Sequence, residues 1–335
     1  MTEETAAIPT VAPALVGLID HAKAPTSVHV VVTCANRKSM AVPAMLRVAA
    51  LEGFPRRQRL AEWIRRVSGP GQPSTVAAGL YAGEHWATAR HLAAAVRVEA
   101  KLWVCSAGYG LIPATAQVRP YAATFAMRER DSVGSSMSEN RDWWGGLSQW
   151  VGPEPGEPRS FDHLARSNPD GTIIAVLSDA YLRACSDDLR MAAGRLRDPQ
   201  RLTIVGPSQA DPALDELVVG VTARMRPAVG GSMLALNVRV AHRLLGLITA
   251  DPVTHRRTHL RALANELTAA APPETPRRSS ERMTDDQVRA FIRPLAAAGT
   301  TSATRCLRQL RESGRSCEQA RFKQLFHEVS LEVRR

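Results

Sequence analysis

The chain has 335 residues, of which 44% are hydrophobic and 22% charged, enough for one large domain and a smaller one with ordinary cores. No apolar run reaches the ~20 residues of a spanning helix. The acidic opening "MTEETAAIPTVAPALVGLIDHA" fits neither a signal peptide nor an arginine-rich transit peptide, so a cytoplasmic protein with no membrane partner is expected.

The net charge is +11, but only four of the 43 basic residues are lysine, as expected of GC-rich coding. Its distribution is more telling. Residues 252–335 hold 16 Lys and Arg against 9 Asp and Glu, the concentrated basic surplus that phosphate-backbone binding requires. A solvated helical surface would look the same.

In chain order, apolar β-branched runs occur at 27–34 (SVHVVVTC), 100–106 (AKLWVCS), 172–178 (TIIAVLS) and 201–206 (RLTIVG). None alternates between polar and apolar, so each reads as a strand covered on both faces. Helix-like segments at 42–51, 88–96, 179–193 and 233–248 lie between or after them. The pattern predicts an α/β fold, a mainly parallel sheet flanked by helices, over residues 1–270. Residues 126–170, rich in Gly, Pro, Ser and Trp, read as a long loop, a lid or substrate-covering insertion.

A Pro/Arg-rich linker is expected over 271–283, around "APPETPRRSS". Residues 284–335 then read as a small all-α, helix-turn-helix-like domain. Thr284 caps a helix running to about 298, with a kink at Pro294. A second helix spans about 302–312 and ends at Ser313-Gly314. The third, about 317–333, carries Phe322, Leu325, Phe326 and Val329 at i, i+3, i+4 and i+7. If this unit holds double-stranded DNA rather than a protein partner, Arg305, Arg308, Arg311, Arg315, Arg321 and Lys323 are the expected backbone contacts.

Ligands of open parallel sheets bind outside the carboxyl ends of the strands. Here those ends read "TCANRKS", "CSAGYG", "LSDAYLRA" and "VGPSQ". Small residues with Ser suit backbone N–H groups facing an anionic or heterocyclic ligand, although turns and helix caps also need them. The inventory fits a nucleobase, with Tyr109, Tyr121, Phe125, Trp143 and Trp144 to stack on it and Asn36 and Gln209 to read its edge. Aromatics also serve cores; "DWWGG", in the polar stretch, looks least core-like. Cys34, with Arg37 and Lys38 beside it, is a candidate nucleophile without an evident His partner. Asp131 and Asp179 are candidate acid–base carboxylates, or helix caps. Five scattered cysteines (Cys34, Cys105, Cys185, Cys306, Cys317) without a CxxC spacing argue against a disulfide framework or zinc cluster. His255 and His259 lack partners for a metal site; neither metal nor cofactor is expected.

The run "CSAGYGLIPATAQVRPYAATF", followed by "DWWGGL" and "IIAVLSDAYLRA", resembles the YaaA-like superfamily over roughly residues 28–248. The late "ARMRPAVGGSMLALNVRVA" is weakly similar to that family's "ARG…RF" helix. The resemblance implies an α/β protein linked to DNA binding and oxidative-stress protection, with relatives near DNA-modification and phage-defence genes. It implies that Ser106, Gly108, Tyr109, Gly110, Pro120, Tyr121, Ser178 and Tyr181 line a shared pocket. The "TCANRKS" opening departs from the usual "SPAKT"-like start and resembles a "C-x-x-x-K" variant, and plain YaaA proteins lack the basic tail.

Together these readings lead to a DNA-acting enzyme that accepts a base, a modified one, for N-glycosidic cleavage or exchange. A non-catalytic DNA-binding or stress protein and a small-molecule nucleobase or nucleotide enzyme are the alternatives.

Overall fold

The computed structural model describes residues 27–71, 73–208, 211–249, 251–271, 281–300 and 302–333. The chain forms two compact units, Met1–Ala271 and Pro272–Arg335. The linker reading, apart from Ala271 and 281–283, lies outside the described residues.

In the first unit, β1 (Val28–Thr33) is followed by two 3₁₀ turns, Ala44–Leu46 and Val48–Leu51, and by α1 (Arg56–Ser68). Then come β2 (Thr75–Val76), α2 (Ala77–Leu80), α3 (Glu84–Ala89), α4 (Leu92–Ala95), β3 (Ala100–Ser106), β4 (Gly110–Pro113) and β5 (Gln117–Val118). The second half holds α5 (Met137–Gln149), α6 (Phe161–Ser167), β6 (Thr172–Val176), α7 (Asp179–Ala184) and α8 (Ser186–Arg195). It closes with β7 (Leu202–Gly206), β8 (Val218–Gly220), α9 (Arg226–Val229), α10 (Leu236–Leu245) and α11 (Arg257–Ala269).

Six strands form one sheet in the order β4-β3-β1-β6-β7-β8. All pair in parallel except β4, which folds back antiparallel on β3. Every residue of β1, β6 and β7 is buried, so both faces are covered, as their unbroken apolar runs require. The four strands read from sequence match to within a residue or two.

The helices depart from the sequence reading where tertiary contacts intervene. Residues 42–51 do not form one helix, because Arg47 is extended (φ −107°, ψ 137°) and bridges to Ala122. Val48 N–H and Ala122 N–H donate to Ala122 O and Leu46 O, at 2.9 Å each. The 179–193 helix is interrupted at Cys185, the 88–96 segment at Arg90–His91, and 233–248 starts as a 3₁₀ turn before α10.

The expected long loop at 126–170 contains α5 and α6. Ser136 caps α5 by accepting from Glu139 N–H, and Ser160 caps α6 by accepting from His163 N–H, as N-cap serines do. Asp188 ties them to α8. Its carboxylate accepts from the N–H groups of Phe161 and Asp162 at 2.8 Å and from Trp144 Nε1–H at 2.9 Å.

In the second unit α12 (Asp285–Ala297), α13 (Ala303–Glu312) and α14 (Gln319–Val333) pack around Val288, Ile292, Leu310, Phe322 and Val329. Thr284 and Gln287 close a capping box at the start of α12, which continues through Pro294. Before α12, Glu281–Arg282 pairs in parallel with Arg315–Ser316 between α13 and α14.

Inside β1, His29 is 2% exposed, accepting Trp103 Nε1–H on Nδ1 at 3.1 Å, with Ser27 Oγ 2.9 Å from Nε2. Burial, then the nearby Lys101 charge, lower its pKa from 6.5 to about 4. The unfolded chain therefore takes up a proton near pH 6.5 that the folded chain refuses until about 4. Unfolding free energy should fall as pH drops through this window, by up to about 3 kcal/mol. Urea unfolding at stepped pH should show that slope, flattened in His29→Gln.

Candidate functional site

From β1 the chain moves to β3 on one side of the sheet and later reaches β6 on the other. The carboxyl ends of β1 and β6 thus flank the switch point where open α/β sheets hold ligands. Thr33 knots the loops there. Its Oγ1 accepts from Ser178 N–H at 3.2 Å, and its carbonyl lies 2.8 Å from His85 Nε2. Asn237 Nδ2–H donates to Leu177 O at 2.8 Å, drawing the start of α10 to the same end. Cys34 Sγ lies 3.1 Å from Tyr181 Oη.

Lys38 folds back over this end. Its ammonium donates to Ala35 O (2.6 Å) and Asn36 O (3.3 Å) and lies 4.5 Å from the Tyr121 ring centroid and 5.1 Å from that of Tyr81. Beneath it runs a buried hydroxyl chain: Tyr81 Oη to Tyr121 Oη at 3.0 Å, and Tyr121 Oη to Ser106 Oγ at 2.6 Å. Ser106 Oγ also accepts from the N–H groups of Gly108 (3.1 Å) and Tyr109 (3.0 Å). Burial holds Tyr81, Tyr121 and Tyr181 well above the ordinary tyrosine range, so they remain neutral hydrogen-bonding groups. Burial lowers the Lys38 pKa, against the opposite pull of Cys34 and Asp131.

A polar cleft of about 180 Å³ opens beside Lys38, lined also by Asn36, Arg47, Thr124, Glu129, Arg130 and Asp131. Asp131 is mostly enclosed, its side chain 15% exposed. Its carboxylate accepts from Arg47 Nη1–H at 2.9 Å and Ala49 N–H at 3.3 Å. The cleft is smaller than the ~300–1,000 Å³ typical of drug-sized ligand sites, a size for one small ring system. Among the described residues no group of three His, Cys, Asp or Glu could hold a metal ion.

Several sequence-read residues sit elsewhere than a base pocket needs. Tyr109, Tyr121, Phe125, Trp143 and Trp144 are 6% exposed or less and pack on one another and on neighbouring rings: Tyr109 meets Tyr121 at 5.2 Å, and Phe125 meets Tyr181 at 5.0 Å, nearly edge-on. Trp143 Nε1–H donates to Ala107 O and Trp144 Nε1–H to Asp188. These rings form core, so an open stacking wall is corrected to a closed aromatic floor. Ser106, Gly108, Gly110, Pro120 and Tyr181 are likewise buried, while Ser178 is the N-cap of α7.

Asp179 is the first residue of α7, its side chain 55% exposed and paired with Arg183 at 3.0 Å. That solvated ion pair replaces the dry carboxylate expected there. Cys34 is buried against Tyr181, and Arg37 is exposed. Gln209 lies outside the described residues. In the second unit Arg305, Arg308, Arg311, Arg315 and Lys323 are exposed, but Arg321 is engaged by Asp285 and by Met283 O.

The sequence reading missed Arg47, Tyr81, Glu129 and Arg130. Arg130 and Glu129 stand beside Asp131 in "RERDS", a local signal; Arg47 and Tyr81 reach the site only through the fold. No protein-family model, curated protein or solved structure matches this chain.

Gly108 is the tightest point of the floor. A Cβ there would lie 2.4 Å from two atoms of the Tyr121 ring, and its carbonyl already accepts Trp63 Nε1–H at 2.8 Å. Gly108→Ala should cost about 1–3 kcal/mol of stability by overpacking and displace Tyr121 from Ser106. Urea unfolding and near-ultraviolet circular dichroism should register both effects.

Proposed function

We propose that this protein acts on DNA, taking a single nucleobase, a modified one, into the cleft beside Lys38 and cleaving its N-glycosidic bond. The observation that carries the reading is the meeting of Lys38, Asp131 and Asn36 in one small cleft beside the loop that follows β1. The three residues supply complementary chemistry. Asp131, held by Arg47 and the Ala49 N–H, offers negative charge to the positive charge that develops on the sugar as the bond breaks; a solvent water then adds to that carbon and loses a proton, leaving the abasic sugar. Lys38, an ammonium whose pKa burial lowers, can donate a proton to the departing base. Asn36, exposed at the rim, offers an amide that can read a base edge. Extruding the base costs a few kcal/mol, least for a damaged or modified one.

The resemblance of "CSAGYG…PYAATF" and "LSDAY" to YaaA-like proteins agrees with this reading, as a likeness of motifs. The buried aromatics serve it indirectly, as the dry floor under Lys38. The second unit, a helix-turn-helix-like bundle in this reading, contributes backbone contacts through the exposed Arg305, Arg308, Arg311, Arg315 and Lys323.

Purified protein is to be incubated with duplexes carrying ordinary and modified bases, with released bases identified by mass spectrometry and abasic sites by alkaline strand cleavage. Release of one base class is expected, reduced about 100-fold or more in Asp131→Asn. The wild-type rate should decline as pH rises through a lysine pKa below the ordinary ~10.4, with that limb absent in Lys38→Met. Intact DNA across the panel, despite tight binding, would overturn the glycosidic reading in favour of a non-catalytic DNA-binding protein.

A further inference from the structure

A second cleft of the α/β unit, about 370 Å³, is lined by His91, Arg239, His242 and Arg243, with Thr88 and the small apolar Ala87, Ala228 and Val229. His91, His242 and Arg243 are exposed. Arg90 stands beside them, its Nε–H donating to His91 Nε2 at 3.2 Å. Glu84, the acidic group at this cleft, is engaged by Arg239 Nε–H at 3.1 Å and Ser232 N–H at 3.0 Å. The pairing of Arg239 with Glu84 leaves Arg243, with Arg90 beside the cleft, as the exposed cations here, flanked by His91 and His242.

The same contacts brace the loop that precedes α10. Arg226 Nε–H donates to Gly231 O at 2.8 Å. Gly230 and Gly231 adopt φ of 70° and 79°, and a Cβ on Gly231 would lie 2.2 Å from Arg239 Nε and 2.3 Å from Glu84 Oε1. This loop presents Met233 and Leu234 to solvent, 52% and 90% exposed. Leu234 is the most exposed large hydrophobic side chain among the described residues. Three residues later, Asn237 donates to Leu177 O at the switch point. Single exposed leucines are ordinary. Two adjacent apolar side chains on a pinned loop, in the segment that joins Val229 to Arg239 of the groove and just before the Asn237–Leu177 contact, suit a partner that is both anionic and stacked.

We infer that this groove and tip form a DNA interface: the cations of the groove contact backbone phosphates, and Met233 and Leu234 enter the base stack where a base has left it. The inference rests on the reading that a base is extruded toward the Lys38–Asp131 cleft. It supplies what that reading lacks, an apolar group to fill the vacated step, as wedge side chains of DNA-bending proteins do.

The test uses the full chain and a duplex carrying 2-aminopurine beside the target position, with affinity measured across a salt series and base unstacking followed by fluorescence. The double variant His242→Ala/Arg243→Glu should weaken binding about eightfold for each phosphate left without its cation near 0.1 M salt, and lower the salt slope by about 1 for each such phosphate. The double variant Met233→Ser/Leu234→Ser should keep the slope and lose most of the fluorescence gain. Unchanged affinity and slope in the first variant would overturn the groove, and a full fluorescence gain in the second would overturn the wedge. Base release by the wild type, scored in the same samples, separates the two proposals. Release with both variants unaffected sinks this inference alone. A lowered slope without release sinks the glycosidic reading and leaves the groove standing.

Discussion

One strand governs the α/β unit. Val28–Thr33 is buried along its whole length and pairs in parallel with β3 on one side and β6 on the other. Its backbone polar groups have no water to turn to, so both ladders must be complete. Parallel neighbours require crossover connections, and those connections cover the faces. With β1 at the centre, the following chain departs to opposite sides, and the loops after β1 and β6 are left facing each other at one end. Thr33 joins them through contacts with Ser178 and His85.

That end is built as a polar rim on a dry floor. The floor is the aromatic cluster with the Tyr81–Tyr121–Ser106 hydroxyl chain through it. Its dryness is what acts on Lys38, because removing water disfavours the ammonium more than the neutral amine. The tyrosine rings return part of that cost through their faces, as do the carbonyls of Ala35 and Asn36. Gly108 permits this packing, since any side chain there meets Tyr121. Residues whose types suggest ligand contacts thus act one layer below, setting the environment of those that reach the cleft.

Four of the five parallel strands are legible in the sequence because each is a largely apolar run without polar alternation; β8, only three residues long (Val218–Gly220), carries too little pattern to be read. The C-terminal helices are legible too, through the Thr284 capping box and the spacing of Phe322, Leu325, Phe326 and Val329. The helix α1 also carries a local signal: Leu60, Trp63, Ile64 and Val67 repeat at i, i+3, i+4 and i+7, and pack inward. So does α5, announced by Ser136 with Glu139 three positions on. Their glycine, serine and arginine content obscures both. Residues 42–51 illustrate the opposite case, where a helix-compatible sequence is drawn into extended pairing at Arg47 by a partner 75 positions away, Ala122.

Local pattern was enough to set the class of the fold, the order of four of the five parallel strands along the chain, the small basic helical unit, and which loops lie at the carboxyl edge of those strands. These follow from periodicity and turn chemistry, which act over a few neighbouring residues. Which side chains meet at that edge was left to long-range packing. It turned Trp143 and Trp144 inward, left Asp179 in solvent with Arg183, and brought Asp131 to Arg47 and Lys38. Those outcomes depend on contacts between residues tens of positions apart, and burial is a property of the assembled core that no local pattern records.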